Sequence, residues 1–334
     1  MHKTGSTSLQ KLVKSNAKVL KRHGVLAPAF NGLIQAFHRS VSMELSKHKR
    51  FNPADGTFGD LAKAIAGWGG NIFLSCEMFS VHIADKEHVE RLVTFFENNG
   101  YRMHVIGYVR NQPEYFNSRY SQEAKRLLRR GDFSVYLGKQ VGAPLHNPQH
   151  LFGPVLADPR VDVTIKHFDT SIAEGLEWSL LDVVLGAGYD RGQFDIGKRK
   201  NETPHPMVVY LSRLVAREII GSDMIQDGDR PLYWRHIRRI SEAEGWVDVK
   251  FCGLTDEIAA NIREVYREGN EAFAQKVWGK SWPASAPRQY VSNEFDSAKA
   301  SPEELAKLER YAKEVIELGQ QDRAARGAEP VNPR

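Results

Sequence analysis

Hydrophobic positions recur at helical spacing along most of the chain, interrupted by three short runs that read as buried strands. From Ser8 to His23, Leu9, Leu12, Val13, Ala17 and Leu20 share one face, and Gly24 supplies a stop. Residues 25–70 read as mostly helical, with one segment around Gly32–Lys49 and another around Phe58–Trp68. The run Asn71-Ile72-Phe73-Leu74-Ser75-Cys76 fits a buried parallel strand ending at Glu77. A helix over 85–99 follows, with Val89, Leu92, Val93 and Phe96 inward. Tyr101–Val109 is the next strand, with Arg110 at its carboxyl end; a helix then starts near Pro113 and runs to about Arg130.

Past Gly131, helical pieces are expected at 133–140 and 147–157, and Arg160–His167 alternates as a strand. Helices follow at Gly175–Leu185, Pro206–Ile220, Pro231–Glu244 and Thr255–Trp278. Strands alternating with helices over short connections argue for an α/β fold, a parallel β-sheet flanked by helices, with a largely helical C-terminal part. Ligands of such sheets bind beyond the carboxyl ends of the strands, where Glu77 and Arg110 both fall. The expected organisation is an α/β domain over 1–282, a linker over 283–300 and an amphipathic helix over 301–320 opened by Ser301-Pro302-Glu303-Glu304. A disordered tail is expected over 321–334.

Composition narrows the class. Across 334 residues, 46 Lys+Arg stand against 41 Asp+Glu, a net +5 that suits phosphorylated ligands without the basic stripe of a nucleic-acid binder. Cys76 and Cys252 lie far apart, outside any CxxC pattern, so neither a disulfide framework nor a zinc site is expected. No apolar run reaches membrane-spanning length and the start lacks signal-peptide character, so the expected location is cytoplasmic. His146 and His150 have metal-like spacing, but Pro148 argues against a regular helix there and no carboxylate is near, so no metal is expected.

The chemistry concentrates in Lys3-Thr4-Gly5-Ser6-Thr7-Ser8, a lysine and hydroxyl-rich loop running into the first helix. Unpaired backbone N–H groups and the helix dipole make such a start an anion cradle. Lys3 precedes Gly5, so the order differs from the GK[ST] of a Walker A loop, and a magnesium-dependent kinase is disfavoured. A loop of this kind is fed by a buried strand, and only Met1 and His2 precede Lys3; the first strand is therefore expected to be missing from this chain.

This loop, Leu74-Ser75-Cys76-Glu77, and Tyr108-Val109-Arg110-Asn111 followed by Ser118-x-Tyr120 resemble the bacterial carbohydrate-type sulfotransferases. Those enzymes have a P-loop-like fold and use 3'-phosphoadenosine-5'-phosphosulfate. Asn201-Glu202-Thr203 and the stretch 270–282 resemble the later part of that family, so the likeness extends over most of 1–282. The resemblance implies that Lys3, Thr4, Gly5, Ser6, Thr7 and Ser8 hold the 5'-phosphosulfate, with Lys3 stabilising the leaving phosphate. Arg110 and Ser118 would hold the 3'-phosphate. Glu77 is the candidate base, with His38 and His82 as backups and a structural carboxylate as the competing role. Lys198, Arg199 and Lys200 resemble the basic loop that reaches the 3'-phosphate and adenine.

The implied activity is transfer of a sulfuryl group to a hydroxyl or amine acceptor, a small molecule or glycan. Neither a nucleic-acid partner nor a membrane span is expected, and the residues specify no oligomeric state. The alternative is a catalytically impaired or non-catalytic nucleotide-binding relic, because of the truncated start.

Overall fold

The computed structural model describes residues 6–197, 203–221, 228–284 and 288–328. In chain order its helices are α1 (Ser6–Ser15), α2 (Ala17–Arg22), α3 (Ile34–Leu45), α4 (Phe58–Ile65), α5 (Phe79–His82) and α6 (Lys86–Asn98). Then come α7 (Gln112–Lys125), α8 (Phe133–Gln140), α9 (Pro148–Ala157), α10 (Phe168–Glu174) and α11 (Leu176–Leu185). The last are α12 (Pro206–Ile219), α13 (Arg230–Ala243), α14 (Asp256–Trp278) and α15 (Pro302–Ala328). Strands are β1 (Val25–Leu26), β2 (Asn71–Ile72), β3 (Met103–Val109) and β4 (Val161–His167). The architecture is mixed α/β with two small parallel sheets.

The chain divides into two compact units: 1–111, 142–200 and 265–284 form the first, and 112–141, 201–264 and 285–334 the second. All four strands belong to the first unit. In it β1 pairs with β2, and β3 pairs with β4 in a continuous parallel register from Met103↔Val161 to Val109↔His167. Side chains of β3 alternate between two layers, as the two-residue period of a strand requires. Ile106 and Tyr108 join Leu9, Leu180 and Leu181 of α1 and α11, while Met103, Val105 and Val109 join Val89, Val93 and Phe152 of α6 and α9. Gly107 lets the Phe152 ring approach β3, since a Cβ there would stand 2.7 Å from it.

The single helix expected over Ser8–His23 is two helices, broken at Asn16. The buried Asn16 amide donates to the carbonyls of Leu12 and Asp195, both at 2.8 Å, and its Oδ1 accepts from Asp195 N–H at 2.8 Å. An asparagine that satisfies a distant backbone in this way competes with helix continuation. The strand expected to run to Cys76 pairs only at Asn71 and Ile72. Phe73 N–H still donates to Leu26 O at 2.8 Å, but Ser75 N–H turns to His38 Nδ1 at 3.2 Å. Pro148, expected to oppose a helix, opens α9 at its first position, where no N–H is needed.

The second unit is helical, with Leu127, Leu211, Val215, Tyr233, Ile237 and Val315 in its core. Glu294 ties it together: it accepts from Phe133 N–H at 3.0 Å and Tyr120 Oη at 3.2 Å and pairs with the buried Arg213 at 2.9 Å. The stretch expected as a linker has neither helix nor strand among its described residues but is packed, with Tyr290 buried and Cys252 N–H donating to Asn293 at 2.7 Å. The last helix reaches Ala328, past the expected end at 320. Asp322 binds Arg235 and His236 of α13, and Arg323 pairs with Asp229 at 3.1 Å, which holds the extra turns in place.

Candidate functional site

The parallel register decides which groups meet at the carboxyl ends of the strands. Because Val109 stands opposite His167, the next residues along each strand, Arg110 and Phe168, emerge side by side. The Arg110 guanidinium lies 5.0 Å from the Phe168 ring centroid, and its Nε is 3.5 Å from Asp169 Oδ1 in the first turn of α10. Arg110 is largely enclosed and Asp169 half-exposed. Asn111 Oδ1 accepts from Trp282 Nε1 at 2.6 Å, so the residue after Arg110 is pinned as well. A planar fork held over a ring and against a carboxylate is oriented before any ligand arrives.

Of the expected phosphate loop, Lys3, Thr4 and Gly5 lie outside the described residues, as do Lys198, Arg199 and Lys200. Ser6 opens α1, Thr7 is exposed and Ser8 is half-buried. The Ser8 hydroxyl donates to Glu177, a buried carboxylate in the first turn of α11. This places a carboxylate by the first turn of α1, where the dipole stabilises negative charge. Ser118 lies on α7, half-buried, in the second unit.

Glu77 follows β2, half-buried, and lines a cavity of about 420 Å³ in the first unit. Its carbonyl accepts from Ser80 Oγ at 2.7 Å. The two backup histidines, His38 and His82, are buried. Burial holds His38 at about 4, partly offset by hydrogen bonding to the Pro28 backbone. Burial and then the nearby His88 hold His82 at about 4. Both imidazoles are therefore neutral at pH 7 and weak bases. Burial likewise pushes the Cys76 thiol up, against activation as a nucleophile.

Glu177 and Asp169 are the two neighbours of the candidate residues Ser8 and Arg110 that sequence reasoning missed. Asp169 had a usable signal, since it lies just beyond the carboxyl end of a strand. Glu177 had none, because its partner Ser8 is 169 residues away. His146 is buried, in a short 3-10 turn, and His150 is exposed on α9. Among the described residues, no group of three or more His, Cys, Asp or Glu could hold a metal ion. Among the same residues, no helix is long and apolar enough to cross a membrane. Comparison with family models, with curated proteins and with solved structures found no match to this chain.

Proposed function

We propose that this chain is a sulfotransferase with a P-loop-like α/β core, acting on a hydroxyl or amine of a small molecule or glycan. The donor would be 3'-phosphoadenosine-5'-phosphosulfate. The observation that carries the reading is Arg110: a cation fixed beyond the end of a parallel strand by Asp169, in a chain whose first helix is preceded in sequence by Lys3-Thr4-Gly5. Arginine suits a phosphomonoester because its fork binds two oxygens at once.

In the proposed reaction an acceptor oxygen attacks sulfur, the new S–O bond forms as the bridge to the 5'-phosphate breaks, and the acceptor proton passes to Glu77. Lys3 neutralises the charge that builds on the departing phosphate. A preorganised donor of that kind contributes about two to three decades of rate, and a positioned base roughly two to four more. Arg110 would hold the 3'-phosphate, and the resulting anchoring keeps the reacting sulfur in line.

The test pairs binding with turnover. Calorimetry with adenosine 3',5'-bisphosphate is expected to give saturable binding that Lys3→Ala and Arg110→Ala each abolish. Mass spectrometry of glycans and simple alcohols incubated with the donor is expected to show an added sulfuryl group. Unchanged affinity in both variants would overturn the reading. The alternative, a non-catalytic nucleotide binder, is supported by the occupation of Ser8 by Glu177. It expects the same binding with no sulfated product from any acceptor.

A further inference from the structure

The face of the sheet opposite Arg110 carries its own contacts at the strand ends. Alternation along β3 places Tyr108 in the layer that holds Phe168, the ring beside the Arg110 guanidinium, and Val109 in the other layer. Asn111 follows Val109 into that second layer, where Trp282 packs. There the end of α14 and the residues after it grip both strands. Trp278 Nε1 donates to the Ile165 carbonyl of β4 at 2.7 Å, and Trp282 Nε1 donates to Asn111 Oδ1 at 2.6 Å, with Asn111 only 6 % exposed. An indole nitrogen donates and never accepts, so this bond holds the amide oxygen of Asn111 toward the ring. Trp282 is fixed in turn: its backbone N–H donates to Glu271 Oε2 at 3.0 Å, and its ring lies 5.6 Å from Trp278 and edge-on to His167 at 5.6 Å.

The last pair of the β3–β4 ladder is Val109 with His167, so Arg110 stands just past the paired residues. Its guanidinium meets a half-exposed carboxylate at 3.5 Å and the Phe168 ring, contacts made at the far end of a long side chain. Where the fork points therefore depends also on where its backbone starts, and one residue further on that backbone is held through Asn111. We propose that Trp282 is a positioning residue for Arg110: its bond to Asn111 fixes the backbone from which the guanidinium reaches a phosphate monoester, and so sets the affinity for that anion from the opposite face of the sheet. The inference rests on the reading of Arg110 as a phosphate-binding residue. Trp278 supplies the contrast, because its single donor is spent on β4, two residues before His167, and not on the segment that carries Arg110.

Calorimetry with adenosine 3',5'-bisphosphate on the full chain decides it. Trp282→Phe, which keeps a ring but loses the N–H, is expected to bind about tenfold more weakly than the parent, and Asn111→Leu, which removes the acceptor, by about the same factor. The double variant is expected to lose about tenfold in all, because both changes break one bond. Trp278→Phe is expected to lower Tm yet keep the affinity within about twofold. If Trp282→Phe fails to fold, Asn111→Leu reads the same bond from its other side. A parent that binds, with both single variants within about twofold of it, overturns the proposal and leaves the reading of Arg110 standing. So does a loss of about a hundredfold in the double variant, which marks two independent effects, or a loss in Trp278→Phe equal to that in Trp282→Phe, which marks general loosening. No saturable binding by the parent overturns the reading of Arg110 and the proposal with it.

Discussion

His38 offers the sharpest test of the packing beside Glu77. It sits on α3 at 1 % exposure, and its Nδ1 accepts the Ser75 N–H, a bond that protonation of that nitrogen would break. Burial lowers it from 6.5 to about 4, so between these values the unfolded chain binds a proton that the folded chain refuses. A histidine with a depressed value contributes stability that is fully present above about pH 6.5 and is lost as pH falls toward about 4. At about pH 5 the linkage relation gives a loss of ~2 kcal/mol relative to about pH 7.5. His38→Asn retains an acceptor for Ser75 but cannot take up the proton. The variant is expected to be less stable at about pH 7.5, for lost packing, and to lose ~2 kcal/mol less than the parent on acidification. Urea unfolding of both proteins across that range measures the difference. Equal losses in parent and variant would refute a neutral, buried His38.

Other substitutions address the strand ends and the core. Asp169→Asn is expected to weaken adenosine 3',5'-bisphosphate binding about fivefold by releasing Arg110, a modest effect because the pair is partly exposed, and calorimetry would measure it. Glu77→Gln is expected to lower sulfuryl transfer by roughly two to four decades while nucleotide affinity stays within about twofold, which would separate a base from a structural carboxylate. Gly107→Ala is expected to destabilise the first unit by about 1–3 kcal/mol in urea unfolding, because its Cβ would meet Phe152 at 2.7 Å. Asp322→Ala is expected to release α15 from α13, read as faster hydrogen exchange over residues 320–328, while exchange over Leu308–Val315 is unchanged.

Long amphipathic helices and the seven-residue strands were legible in the sequence, because each follows a period set by its own backbone geometry. So was the strand-end position of Arg110, which follows from where an apolar run stops, whereas β2 ends at Ile72, short of Glu77. A two-residue strand such as β1 leaves no period to read, and it lay inside a region expected to be helical. The break at Asn16 depends on Asp195, and the extension of α15 depends on Arg235, His236 and Asp229; none of these partners is near in sequence. The tertiary structure alone set Arg110 beside Phe168 and Asp169, because strand register, not sequence distance, decides which carboxyl ends are neighbours. It alone turned Ser8 toward Glu177, and it alone brought residues 71–77 and 101–108 around one cavity. Periodicity is a property of one segment, whereas pairing and burial belong to segments that meet only when the chain has folded.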